Sequence, residues 1–471
     1  MVFNSLTFIA FFAAVLVIHN LPLPWTLKKI NLVVASCLFY AAWNPPFVLL
    51  LMLSAIVDFR LARWMGSTES PRGRRAILIA SLVLNLGLLS FFKYGGFILD
   101  NFRAAVALLG IDYHPPRPDI ILPLGISFYT FETISYLIDV YRRKIAPWPS
   151  FVDYALFLTF FPHLVAGPIV RARDFLPQCE RPHRATSQQF FWGLCLLLIG
   201  LFEKVIIADS IMAPAADKVF NAVRSAGHVD AWIGTLAFSG QIFMDFAGYS
   251  LCGIGVALCF GFVLNDNFHS PYAAIGFSDF WQRWHMSLSS WLRDYLYIPL
   301  GGNRSGARRI QINLMLTMLL GGLWHGAAWR FIAWGGLHGL YLVGERGIRR
   351  AWGKPVREQG AIAAALAFVT FLIVSVTWVF FRAPDFGAAA RLLWLLANPT
   401  RQHFLVDRMD VLSVLAIIFA TLIVHWKLRT TSLEDAAART PAWLRGLALV
   451  AVVICLVLAP GEDRAFIYFQ F

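Results

Sequence analysis

Two histidines forty positions apart are the residues of this chain whose type and setting best suit chemistry. His285 sits in DFWQRWHMSLSSWLRDYLYIPLGGNR, and His325 in LMLTMLLGGLWHGAAWRFIAWGGLHGL. The second closes a nearly unbroken apolar run, Ile310 to Trp324, interrupted mainly by Gln311, Asn313 and Thr317. An ionisable side chain at the end of a lipid-compatible helix is costly, so it is read first as functional. A neutral imidazole there can take a proton as a general base. The plainer reading is a structural histidine bonded to a neighbouring helix, and the residues alone leave both standing.

The elements around the two histidines sharpen the question. Residues 311 to 343 as one helix would be about 50 Å long, against a hydrocarbon core of about 30 Å. The run must tilt or break, and Gly321-Gly322, Gly326 and Gly335-Gly336 are the expected breakpoints. Non-helical backbone at membrane depth is tolerated only when it is buried or lines a water-filled space. Glycine and alanine beside His325 admit close approach, and the flanking tryptophans can shield it. Around His285, helical periodicity over Ser278 to Tyr297 separates two arcs. Phe280, Trp281, Trp284, Leu288, Trp291, Leu292 and Tyr295 fill one, while Gln282, Arg283, Ser287, Ser289, Ser290, Arg293 and Asp294 fill the other. Ser278 is the expected N-cap. Either this helix lies in the bilayer interface, or its polar arc faces an internal cavity.

Composition fixes the class. Of 471 residues, 58% are hydrophobic and 14% charged, and the mean hydropathy is +0.64. Repeated apolar stretches of about 20 residues read as membrane spans, so the chain is expected to be an all-α polytopic membrane protein. The net charge of +13 lies in clusters between apolar runs, which fits loops facing an anionic leaflet and gives no nucleic-acid patch. The six cysteines (37, 179, 195, 252, 259, 455) lack CxxC spacing, so neither a disulfide framework nor a metal site is expected. MVFNSLTFIAFFAAVLVIHN has no basic leader region and reads as a retained first span.

Taken in order, Pro22 and Pro24 end the first helix, and Asn44-Pro45-Pro46 divides Ile30 to Ile56 into two. Further crossings near Ile77 to Phe92 and Ile120 to Val140 then bring three basic clusters, Lys28-Lys29, Arg60 to Arg75 and Arg142 to Lys144, to one side. The positive-inside rule makes that side cytoplasmic and the N-terminus periplasmic. FLTFFPHLVAGPIVRARDF, with Pro162, His163, Gly167 and Pro168, reads as re-entrant or cavity-lining. Gln241 and Asp245, four apart amid apolar residues, share a helical face expected to point into the bundle. Spans follow near Ala361 to Phe381, Val411 to Trp426 and Leu444 to Leu458, with a partly amphipathic link from Arg382 to Met409. No repeat of twenty to fifty residues is present, so 1–471 reads as one membrane domain, with a core over about 120–345 and C-terminal helices over 360–471.

Several stretches, in this order, resemble the membrane-bound O-acyltransferase family, in its bacterial branch of polysaccharide acetylation and teichoic-acid D-alanylation proteins. They are LPLGISFYTFETISYLIDVYR (122–142), FFPHLVAGPIVRARDFLPQ (160–178), FWQRWHMSLSSWLRDYLYIPLGGNR (280–304), LLGGLWHGAAWRFIAWGGLHG (319–339), WVFFRA (378–383) and FIYFQF (466–471). The resemblance implies a ring-like bundle of about 11 membrane helices, with re-entrant and interfacial helices, around a central tunnel. It matches His325 to the family's near-invariant histidine and His285 to its second polar position. Trp324, Asn303, Arg293, Asp294, Asp245 and Gln241 become candidates for lining the tunnel or binding substrate. One departure stands out: relatives commonly read GYSDMAIG where this chain has GYSLCGIG (248–255), so Leu251 replaces an acid and Asp245 is the nearby carboxylate.

The resemblance further implies transfer of an acetyl or other short acyl group in the bacterial inner membrane. The donor would be a cytoplasmic thioester, acetyl-CoA or another, with no bound cofactor. A periplasmic or membrane-anchored SGNH-type partner would complete the transfer to polysaccharide hydroxyls within a biosynthesis and export complex. Tyr468 is an acyl-carrier candidate through FIYFQF, the alternative being an aromatic anchor at the membrane surface. The rival functions are a precursor transporter and a non-catalytic scaffold. Against a transporter, no paired broken helices recur in two matching halves.

Overall fold

The break expected at Asn44-Pro45-Pro46 separates two helices. α1 (Leu6–Asn20), α2 (Trp25–Ala41) and α3 (Pro46–Ser67) are distinct, and proline stands in the first turn of α3, where its missing N–H costs nothing. The computed structural model describes residues 1, 3–116, 119–165, 167–304, 306–353, 359–399, 404–459, 464, 466 and 467. Among these residues every regular element is helical, as the all-α expectation requires. They group into two compact units, Met1–Leu194 with Gly253–Asn265, and Cys195–Cys252 with Asp266–Phe471.

The first unit contains α1 to α3, α4 (Pro71–Ala107), the almost wholly buried α5 (Ile126–Tyr141), α6 (Phe151–Thr159), α7 (Phe161–Leu164), α8 (Ala172–Phe175) and residues 187–194 of α9 (Ser187–Phe220). The segment around His163 is interrupted as expected, and protein groups satisfy backbone that the breaks release. Ser36 Oγ accepts the Phe161 N–H at 3.0 Å, and Glu132 Oε1 accepts the Val170 N–H at 2.9 Å. Three of the basic residues expected to face a leaflet, Lys28, Lys29 and Arg74, are instead buried. The Arg74 guanidinium donates to the carbonyls of Met65 (2.6 Å), Val140 (2.9 Å) and Tyr141 (3.0 Å), and Lys29 pairs with Asp153. A guanidinium has five donors and can serve several helix-end carbonyls at once.

The second unit contains the rest of α9, which winds as a π-helix over Phe202–Met212, and most of α10 (His228–Cys259). Then come α11 (Phe277–Arg283), α12 (Met286–Leu292), a π turn over Arg293–Tyr297, α13 (Gly306–His325) and α14 (Trp329–Trp352). α15 (Ala361–Arg382), α16 (Phe386–Ala397), α17 (Arg408–Lys427), α18 (Leu433–Arg439) and α19 (Ala442–Leu458) complete it.

Three local expectations need correction here. Ser278 to Tyr297 is not one helix: it breaks at Trp284-His285, where His285 takes a left-handed conformation with φ 43°. Ser278 is not the N-cap of α11. Gly276, at φ 89°, makes the turn, Asp279 Oδ2 accepts the Ile275 N–H at 2.8 Å, and the Ser278 N–H donates to Glu345 at 2.8 Å. Of the three glycine sites, only Gly326 breaks the long run, while Gly321-Gly322 and Gly335-Gly336 stay helical and serve packing.

By length and composition, five helices among the described residues can cross a membrane: Pro71–Ala107, Ser187–Phe220, His228–Cys259, Ala361–Arg382 and Arg408–Lys427. Shorter apolar helices are Leu6–Asn20, Phe386–Ala397 and Ala442–Leu458. Large apolar side chains such as Leu6, Leu84, Phe419 and Val457 stand exposed along them, as lipid-facing surfaces require.

Candidate active site

α13 and α14 form a hairpin whose backbones nearly touch. A Cβ built on Gly322 would strike the carbonyl oxygen of Phe331, and one on Gly335 would strike that of Met318. The pair therefore holds the helix ends at a fixed separation, with Gly326 at the break between them. His325 is the last residue of α13 and is 3% exposed. Three aromatic rings enclose it: Trp324 at 5.0 Å, Trp334 at 5.1 Å and Phe381 at 5.4 Å between centroids, all close to edge-on. Arg330 donates to the carbonyls of Phe381 and Ala383, which fixes the end of α15 against this hairpin. The WVFFRA segment thus supplies part of the wall around His325.

His285 is fully buried, in the left-handed turn that starts α12. Its Nδ1 lies 3.0 Å from Asn267 Oδ1, which also accepts from Ser287 Oγ at 2.9 Å. Asn267 Nδ2 donates to Ser250 Oγ at 3.1 Å, so the amide oxygen is the atom turned toward the imidazole. Facing an acceptor, Nδ1 must carry the hydrogen, and Nε2 then holds the lone pair. Burial pushes the His285 imidazole down to about 3, so it is neutral at physiological pH. Phe246 meets the ring at 4.7 Å, and Trp324 lies 6.1 Å away. Both histidines therefore border the same indole, that of Trp324.

A cavity of about 470 Å³ opens between α11, α12, α13 and α14. Ser278, Gln282, Ser289, Ser290, Arg293 and Thr317 give it polar walls, with Trp281, Met286 and Met318 among the apolar ones. Of the polar arc, Gln282, Ser289, Ser290 and Arg293 line this cavity, while Arg283, Ser287 and Asp294 do not. Trp281 packs 5.8 Å from Trp334, the ring that abuts His325, so aromatic contacts run from the cavity wall to the imidazole.

The remaining candidates are spread more widely. Arg293 lines the cavity and pairs with Asp294 at 2.8 Å. Asn303 lies on an exposed turn, accepting from Tyr297 Oη at 2.8 Å and Arg346 at 3.1 Å. Gln241 and Asp245 are buried on α10, and Asp245 pairs with Lys204 and accepts the Ile467 N–H at 2.7 Å. Tyr468 lies outside the described residues.

Residues 141–381 match the sequence profile of the MBOAT, membrane-bound O-acyltransferase, family. The chain belongs to the membrane-bound O-acyltransferase family. It is 41% identical over 399 residues to a probable alginate O-acetylase of Azotobacter vinelandii, covering 83% of this chain and 77% of that one. It is 39% identical over 391 residues to a peptidoglycan O-acetyltransferase of Helicobacter pylori, covering 78% and 73%. A teichoic acid D-alanyltransferase of Bacillus subtilis is 29% identical over 246 residues, covering 49% and 60%. This membrane protein is thus an O-acyltransferase.

Within the acyltransferase, the residues sequence reasoning missed are those that hold the histidines. Asn267 and Ser250 orient His285, and Trp334 and Phe381 enclose His325. Ser250 belongs to the GYSLCGIG segment, which contributes here through this hydroxyl. The GYS motif itself was the available signal for Ser250, whereas nothing local marks Asn267.

Proposed function

We propose that this protein transfers an acetyl group from a cytoplasmic acyl thioester toward a periplasmic acceptor, and ultimately to polysaccharide hydroxyls. The observation that carries this reading is the pair of histidines that both border Trp324, in an aromatic pocket next to a cavity whose walls mix apolar and polar side chains. His325 takes the proton of an attacking hydroxyl, whose oxygen adds to the thioester carbonyl. The C–S bond then breaks, and the departing sulfur takes the proton back from His325 and leaves as a thiol. His285, with its lone pair on Nε2, accepts a hydrogen bond and so positions a hydroxyl; it does not polarise a carbonyl. The cavity falls within the usual range of about 300–1,000 Å³ for small-molecule sites. Its serine, glutamine and threonine side chains suit the amide-bearing arm of a thioester donor such as acetyl-CoA, with Arg293 available to a phosphate.

The finer architecture belongs to the same proposal: about 11 crossings around a central tunnel, in a bacterial inner membrane, with the N-terminus periplasmic. So do an SGNH-type partner and an export complex; the polysaccharide acceptor is supported by relatives that are named for alginate and peptidoglycan O-acetylation. Tyr468 would carry the acyl group between donor and partner. Its neighbour Ile467 donates its N–H to Asp245.

His325→Ala tests the reading. We expect polymer acetylation to fall by about 10²–10⁴-fold, the usual worth of a general base, at unchanged protein level. Undiminished acetylation would remove His325 from the reaction. Mass spectrometry of protein trapped with a labelled donor should find the acyl group on Tyr468, and its absence there would rule out the carrier role.

A further inference from the structure

Charged groups outside the reaction above hold the chain's last described residues in place. The Lys204 ammonium lies between Asp209, at 2.8 Å, and Asp245. The second oxygen of Asp245 accepts the backbone N–H of Ile467 at 2.7 Å. Asp217 takes Arg382 at 2.7 Å on one oxygen and Arg464 at 2.7 Å on the other. Arg464 is also close enough to Asp209 to act on it electrostatically. Between these anchors, Phe466 is buried against Tyr249 (4.9 Å) and Phe246 (5.5 Å). Phe246 is the ring that meets His285 edge-on.

The charges favour the seated segment. Lys204 and Arg382 bring two positive charges to the three carboxylates Asp209, Asp217 and Asp245, and Arg464 brings the third. Asp217 is partly exposed and keeps Arg382 if Arg464 leaves, so the pair contributes as a part-screened ion pair within a network. The N–H of Ile467 adds a charge-assisted bond three residues further on. The seat and the reacting pocket share a wall, since Phe246 touches both Phe466 and His285.

We propose that Asp217 and Asp245 are positioning residues that seat residues 464, 466 and 467 beside His285, and that these seated residues are a working part of acyl transfer. The inference rests on the reading that acetyl transfer takes place at His285 and His325. The seat serves the reaction through Phe466, which packs on the ring that meets His285. The network does not touch the donor cavity, so it governs turnover and leaves donor binding alone.

The test uses the full-length protein in lipid nanodiscs, with Arg464→Ala, Arg464→Lys, Asp217→Asn and Asp245→Asn. Carboxypeptidase digestion followed by intact mass reports whether residues 464–467 stay protected. Acetyl transfer from an acetyl thioester to an oligosaccharide, with the partner acetyltransferase of the proposed function present, reports kcat and KM separately. Arg464→Ala and Asp217→Asn should be trimmed past Ile467 at least tenfold faster than the unaltered protein. Their kcat should fall at least tenfold at unchanged donor KM, and Arg464→Lys should restore most of both. Asp245→Asn should lower kcat in the same way. Thermal unfolding of each variant identifies any that has merely misfolded, and Arg464→Ala, altered only on the terminal segment, keeps the test decisive. Protection unchanged in Arg464→Ala overturns the anchoring, and faster trimming with unchanged kcat overturns the working role. Failure of the underlying reading shows instead in the unaltered protein, as absent acetyl transfer.

Discussion

His285 depends on a neighbour eighteen positions away. Asn267 holds its Nδ1, caps the start of α12 through its backbone carbonyl to Met286 N–H at 2.8 Å, and is itself fixed by Ser250. Asn267→Ala should therefore lower acetyl transfer about 10- to 100-fold while leaving the imidazole in place, a part of the full worth of a general acid or base. An unchanged rate in purified protein would show that His285 is held without it. The histidines themselves were legible, because a titratable side chain among apolar ones is conspicuous in any sequence. Their supports were not. Asn267 reaches His285 only because residue 285 turns left-handed, and the helical periodicity of 278–297 conceals that turn. Ser278 was misread for a related reason: a serine before an aspartate is a good cap by type, but a glycine at positive φ two residues earlier sets where the helix starts.

Elements were legible where their cause is local. Proline at 45 and 46 ends α2, and excess length forces a break near Gly326. Glycines that break a helix and glycines that pack one look alike in sequence, so Gly322 and Gly335 were misassigned. The close approach yields a sharp expectation at this scale. Gly322→Ala places a methyl on the Phe331 carbonyl and should cost about 1–3 kcal/mol as overpacking, read as a lower unfolding temperature and reduced transfer. Gly344→Ala, on the same α14 but with open space where its Cβ would go, should be neutral or slightly stabilising. Equal behaviour of the two variants would contradict the hairpin contact.

For the whole molecule, composition was enough to say membrane and helical, and ordered motifs to say acyltransferase. How charge is used could not be read so simply. Arg74 joins the ends of α3 and α5, and Lys29 meets Asp153 at the start of α6, so the first unit brings all three basic clusters to one end. The positive-inside rule would place that end in the cytoplasm. Cysteines placed at Glu69 and Lys144, in a background lacking the exposed Cys455, should react with a membrane-impermeant reagent only from the cytoplasmic face. A cysteine at Ile111 should react only from the other. Labelling of positions 69 and 144 from opposite faces would overturn the topology.

The contact between Gly322 and Gly335 has a meaning for inheritance as well. Every amino-acid replacement reachable by one base change in a glycine codon installs a side chain, and here each would meet a backbone carbonyl that cannot step aside. Neither position can drift alone, and no gradual sequence of small changes widens the gap between α13 and α14. The setting of His325 is therefore fixed genetically, while the cavity walls, made of ordinary side chains, stay open to change one codon at a time. Descendants of this sequence are freer to alter what reaches the histidine than to alter where it stands.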